Sequence, residues 1–138
     1  MINNDILRKL RYAFEYDDKK MLAIFKLGGL EAKRSTLSDW LRREEDEGFL
    51  FIKDIEVASF LNGFIIEKRG AKDGAIPEPE KSLTNNAILR KLKIALIMKD
   101  DDIIEVMESA KFKISKHELS ALFRKTDHKH YGDCKDQL

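Results

Sequence analysis

Ile6, Leu7, Leu10, Ala13 and Phe14 fall on one face at the three- and four-residue spacing of an amphipathic helix, with Asn4 placed to cap its start. Asp17 or Asp18 then opens a second helix through KKMLAIFKL, which Gly28 and Gly29 are suited to stop. A third is expected from Ser35 or Thr36 to Arg43. A fourth is expected from about Asp54 to Lys68, with Ile55, Ala58, Leu61, Phe64 and Ile65 along it. No run shows sustained alternation of period two, so little or no strand is expected.

The pattern then starts again. NNDILRKLRYA at 3–13 returns as NNAILRKLKIA at 85–95, an offset of 82, and at that offset residues 3–56 align without a gap with 85–138. Fourteen of those 54 pairs are identical, where roughly three would be expected from ordinary residue frequencies, so the chain reads as an internal duplication. Asp18 pairs with Asp100, and Leu37, Ser38 and Arg42 pair with Leu119, Ser120 and Arg124. Met21, Leu22 and Ile24 face Ile103, Ile104 and Val106. The second copy has its own helix signals: Asp100, Asp101 and Asp102 suit a helix start, and Ser115 to Glu118 has the spacing of a capping box.

Between the copies, KRGAKDGAIPEPEKSL holds both prolines and two of the seven glycines, which is linker chemistry. The fold class expected is all-α: two tandem small helical domains, the first (1–68) of about four helices and the second (84–138) of three, joined by a linker at 69–83. The second copy ends where the counterpart of the fourth helix has barely begun. The surface which that helix hides in the first copy is therefore expected to be uncovered in the second, unless the chain continues or the remnant packs on the other domain or on another chain.

The NN-ILRKL opening, its return after a linker, and the endings LSDWLRREED and LSALFRKTDHKHYGDCKDQL resemble the YehS family of bacterial proteins. The resemblance covers essentially the whole chain. It implies a small bacterial cytoplasmic protein with two similar helical domains, and it brings no activity, substrate or catalytic residue with it.

Charge and composition narrow the partners. With 26 basic and 25 acidic residues the net charge is +1, so no whole-molecule field attracts nucleic acid, anionic lipid or an acidic substrate. FLFI at 49–52 and IALIM at 94–98 fall far short of the roughly twenty apolar residues of a membrane span. The start is too polar for a signal peptide, and the single cysteine, Cys134, cannot form an internal disulfide. A soluble cytoplasmic chain without a membrane partner is expected.

Candidate chemistry is sparse. DHKHYGDC offers His128, His130 and Cys134 as metal ligands, with Asp127 and Asp133 nearby, but it lacks a paired C-x2-C or H-x3-H element and reads better as a polar loop. The acidic runs at 44–47 and 100–102 lack the alternating ligands of a calcium loop. Gly28-Gly29 is not followed by a phosphate-binding pattern, and nothing around Ser115 and His117 supplies a nucleophile elbow. No catalytic residue, metal or cofactor is expected.

Two functional classes remain. The favoured expectation is a non-enzymatic interaction or regulatory module, presenting related surfaces twice to a protein partner or associating with itself through the incomplete second domain. The retained polar residues that periodicity leaves outside the core would form the surface: Arg8, Lys9 and Arg42, with Arg90, Lys91 and Arg124. The same arginines could instead serve the domains themselves, neutralising a helix end or an acid such as Asp18 or Asp100. The alternative class is nucleic-acid binding, since MLAIFKLGGLEAKRSTLSDWLRR has the order of a helix-turn-helix flanked by basic first helices. Its turn is longer than the usual three or four residues, and Asp39 and Glu44 to Glu47 would bring negative charge toward phosphate.

Overall fold

A computed structural model describes residues 2–70, 77–110, 113–124 and 132–135. Those residues form seven helices and no strand: α1 (Asn3–Ala13), α2 (Asp18–Leu27), α3 (Arg34–Trp40), α4 (Asp54–Arg69), α5 (Asn85–Ala95), α6 (Asp100–Ser109) and α7 (Lys116–Leu122). Contacts divide the chain into two compact units, Met1–Leu83 and Thr84–Leu138. Residues 77–83 thus belong with the first unit. The Leu83 N–H donates to Asp54 Oδ2 at 2.9 Å, and the Pro77–Pro79 stretch borders a groove shared with Gly28, Leu30, Ile55 and Ser59.

Local chemistry explains most helix starts. Asp17 caps α2 by accepting the Lys20 N–H at 2.8 Å. Thr84 caps α5 through the Ala87 N–H at 3.1 Å. Ser115 and Glu118 form the reciprocal box at α7, at 3.0 and 3.2 Å. α1 departs from expectation. Its cap position is Ile2, whose N–H is taken by Asp5 at 3.1 Å, while Asn4 lies inside the first turn and is fully buried. Asn4 is drawn away from capping by partners elsewhere in the chain. α3 also stops at Trp40 rather than continuing to Arg43, because residues 41–53 leave the helix for an irregular path that Asn4 ties down.

In the first unit α4 is the central element, with eight consecutive residues buried from Val57 to Phe64. It crosses α2 so closely that a methyl group on Gly28 would stand 1.7 Å from the Ser59 carbonyl oxygen, and one on Gly63 would stand 1.9 Å from that of Ile24. Glycine is required at both positions by this approach. Phe25 joins Trp40 and Phe60, with ring centroids 5.3 and 4.9 Å apart, and Phe14 meets Phe64 at 4.9 Å. The second unit has a smaller core of Ile103, Met107, Ile114, Leu119, Leu122 and Cys134.

The duplication extends to backbone conformation. Among the described residues, Glu15 and Ile97, 82 positions apart, are the two non-glycine residues with positive φ, at 54° and 52°. No helix among the described residues is long and apolar enough to cross a membrane.

Candidate functional site

The repeated Asn-Asn pair is answered by geometry. The Asn4 amide nitrogen donates to the carbonyls of Trp40 and Leu50, both at 2.8 Å, and its oxygen accepts the Ile52 N–H at 3.2 Å. Asn86 donates to Leu122 at 3.0 Å and Gly132 at 2.7 Å, and accepts the Cys134 N–H at 2.8 Å. Every partner is displaced by the same 82 positions. Asn3 donates to the Ile52 carbonyl at 3.2 Å and Asn85 to that of Cys134 at 3.2 Å. Each pair therefore clasps an irregular segment onto the first helix of its unit, satisfying backbone groups that helices α3 and α7 leave without ladder partners.

The conserved-in-repeat arginines are placed beside this clasp. Arg8 lies half-buried on α1; its Nη1 donates to the Arg42 carbonyl at 2.5 Å and its Nη2 pairs with Asp5. Arg90 donates to the Phe123 carbonyl at 3.0 Å. Both cations thus sit where α3 and α7 end, the terminus at which the helix dipole favours positive charge. Arg8 and Arg42 are brought together through the main chain, and Arg90 reaches the residue before Arg124. Arg42 is exposed, with Nε 3.1 Å from Asp39. Lys9 is exposed on α1, while Lys91 and Arg124 are half-buried in the second unit. One turn beyond Arg8, Arg11 pairs with Asp18 at 3.4 Å, and the matching Lys93 pairs with Asp100 at 2.9 Å while lying 4.3 Å from the centre of the Phe123 ring.

Arg8 and Arg11 line an open groove of about 730 Å³ with Tyr12, Glu15, Tyr16 and Leu41. Tyr12 is 87% exposed, and its counterpart in α5, Ile94, is 39% exposed. Burial pushes the Asp5 carboxyl up, but the Ile2 N–H and Arg8 outweigh it and hold the group below its ordinary range. The groove therefore combines a projecting aromatic ring with guanidinium groups already facing carboxylates.

The metal candidates are divided. Asp127, His128 and His130 lie outside the described residues. Cys134 is buried, with its N–H given to Asn86 and its thiol 3.6 Å from the Lys135 carbonyl, and Asp133 is exposed. Among the described residues no group of three or more His, Cys, Asp and Glu side chains could hold a metal ion. α2 and α3 do follow in helix-turn-helix order, linked by residues 28–33.

Sequence reasoning missed the role of Asn4 and the groove beside Tyr12. A signal for the first was present: Asn4 shares a helix face with Leu7 and Arg8, three and four residues on, so a repeated asparagine there points inward.

The family described as "Protein of unknown function (DUF1456)" matches residues 3–70 and 85–138, the two stretches that carry the clasps. The chain belongs to the DUF1456 family. It is similar to the "Uncharacterized protein YehS" of Escherichia coli (strain K12), with 43% identity over 140 residues, covering 100% of this chain and 89% of that protein. No solved structure matches the chain. The tandem all-α architecture expected from the repeat is what the two family matches and the helices display.

Proposed function

We propose that this chain is a non-enzymatic, cytoplasmic interaction module that offers the outer faces of α1 and α5 to a protein partner. The observation that carries the reading is the repeated exposure of a large apolar or aromatic side chain, Tyr12 and Ile94, beside Arg8 and Arg90. Isolated exposed apolar residues are ordinary, but the same position exposed in both copies next to the same cation is a surface presented twice. The basic set Arg8, Lys9 and Arg42, with Arg90, Lys91 and Arg124, would rim it. The test is affinity capture from the host with the full chain and with a Tyr12→Ser, Ile94→Ser variant. A protein retained by the first and lost from the second supports the reading; identical captured sets overturn it.

A second reading, nucleic-acid binding, draws support from the order of α2 and α3 and from the exposure of Lys9, Lys33, Arg34 and Arg42. Against it, Arg8 and Arg90 already donate to main-chain carbonyls and Arg42 faces Asp39. Fluorescence anisotropy with labelled duplex and single-stranded probes at two salt concentrations decides it. Binding that weakens steeply with salt and is lost on Arg8→Ala, Arg90→Ala supports nucleic acid.

A further inference from the structure

The segment that Asn4 clasps carries Phe49, Leu50 and Phe51. Phe51 is 61% exposed and Leu50 46%, while Phe49 is half-buried with its ring edge-on to that of Phe51, the centroids 4.8 Å apart. Main-chain bonds fix this stretch. The Leu50 N–H donates to the Asp39 carbonyl at 3.2 Å, its carbonyl accepts from Asn4, and the Ile52 N–H is held by the same asparagine. Just before it, the Asp46 N–H donates to the Arg43 carbonyl at 3.0 Å and the Phe49 N–H to the Asp46 carbonyl at 3.3 Å, which folds the exposed acids Glu44, Glu45, Asp46 and Glu47 into consecutive turns. Residues 44–51 thus hold four acids, an aromatic pair and no base.

The fold does not ask for these side chains. In the second unit the same clasp closes with Gly132 in place of Leu50 and with Asp133 in place of Phe51, since Asn86 grips main chain only. Of the four acids, the matching positions of the sequence keep one, Asp127 for Glu45. Single exposed apolar residues are ordinary, but a contiguous apolar stretch on a pinned main chain, at positions where the clasp tolerates glycine and aspartate, is a surface kept for contact.

The charges select the occupant. Four acids repel phosphate, which disfavours nucleic acid and anionic lipid at this loop. Two copies meeting loop to loop would set acid against acid. A protein with an apolar pocket rimmed by lysine or arginine answers both parts: the pocket takes the Phe51 ring and the rim faces Glu44, Glu45 and Glu47. Because the loop is already held in one path, binding has little ordering left to impose on it.

We infer that the loop of residues 44–51 in the first unit is a docking element for a protein partner whose apolar pocket is rimmed by basic residues. The inference rests on the reading of the chain as an interaction module and adds a surface carried by one copy only, made of other residues than the repeated pair Tyr12 and Ile94.

The probe is a fluorescent helical peptide of about 18 residues, with leucine along one face and lysine elsewhere, titrated against the full chain by anisotropy. Two control peptides change one property each, glutamate for every lysine and serine for every leucine. The lysine–leucine peptide is expected to bind, and each control about tenfold more weakly or worse. Phe51→Ser should weaken binding about tenfold, as loss of an aromatic anchor does. Glu44→Gln, Glu45→Gln and Glu47→Gln together should weaken it about fivefold and flatten its salt dependence. All four positions are exposed, and circular dichroism should show both variants folded. The inference is overturned if the lysine–leucine peptide does not bind at tens of micromolar, if the glutamate control binds as well, or if Phe51→Ser leaves the affinity unchanged. It is also overturned if sedimentation shows a dimer that Phe51→Ser dissociates, since the occupant would then be a second copy. Tyr12 and Ile94 are intact in both variants, so their capture test stands or falls separately.

Discussion

The side-chain amide of Asn4 donates to the carbonyl of Leu50, joining the first turn of α1 to a segment 46 positions away at 2.8 Å. The bond is one of three made by that side chain, and the residue is fully buried. Its removal takes this partner from two carbonyls and one N–H, of which the Trp40 carbonyl and the Ile52 N–H are buried.

Asn4→Ala should therefore destabilise the first unit by about 3 to 5 kcal/mol, since each buried backbone group left without a partner costs about 1 to 3 kcal/mol. Trp40, the sole tryptophan, lies buried in that unit and reports its unfolding by fluorescence in urea. Asn86→Ala should leave the tryptophan transition in place and lower the stability of the second unit, read by hydrogen exchange at the amides of α5 and α7. A tryptophan midpoint unchanged in Asn4→Ala would remove the clasp from the account of stability.

Gly28→Ala places a methyl group against main chain that has no rotamer to yield. A loss of about 3 kcal/mol or more is expected, at the upper end for overpacking. Ala110→Gly, at the matching position of the second unit, meets no such contact and should change stability by about 1 kcal/mol or less. Paired urea denaturation curves compare the two.

Acid should weaken the first unit through Asp54 and Asp5. The Asn3 amide and then the Leu83 N–H hold the Asp54 carboxyl below its ordinary value of 3.8, with burial opposing them. A folded-state value below the unfolded one gives stability that is present above about pH 4 and is lost as pH falls through the folded value. Asp54→Asn keeps an acceptor for Asn3 without the charge. The urea midpoint of the native chain should fall more steeply between pH 5 and pH 3 than that of the variant, and parallel curves would exclude Asp54 as a source of acid sensitivity.

Arg8→Ala and Arg90→Ala separate structural from recognition roles. Each side chain caps a helix end, so each substitution should cost about 1 kcal/mol. If partner capture persists in the double variant after the assay is cooled to restore folding, these arginines serve the domains. Loss of capture with folding intact would place them in the recognised surface.

Much of the architecture was legible because its causes are local. Asp17 before KKML and Ser115 with Glu118 announce helix starts that depend only on neighbouring N–H groups, and both appear where expected. Asn4 was misread for a physical reason: asparagine just before an apolar face is a cap signal, and the same residue serves equally well to bind main chain 36 to 48 positions away. The end of α3 was misread for the same cause, because what stops it is a side chain on α1. The groove beside Tyr12 left no trace in periodicity, which places residues inside or outside but does not say what they stand next to.

Asn4 and Asn86 grip only main-chain atoms, and this decides what can vary. Trp40 and Leu122, Leu50 and Gly132, Ile52 and Cys134 occupy equivalent places in the two clasps, yet their side chains share neither size nor shape. From 43–52 to 125–134 no residue is identical. A fastener blind to side chains holds the backbone at the points it grips while the residues around them drift, so one ancestral domain could acquire two different faces without losing its fold.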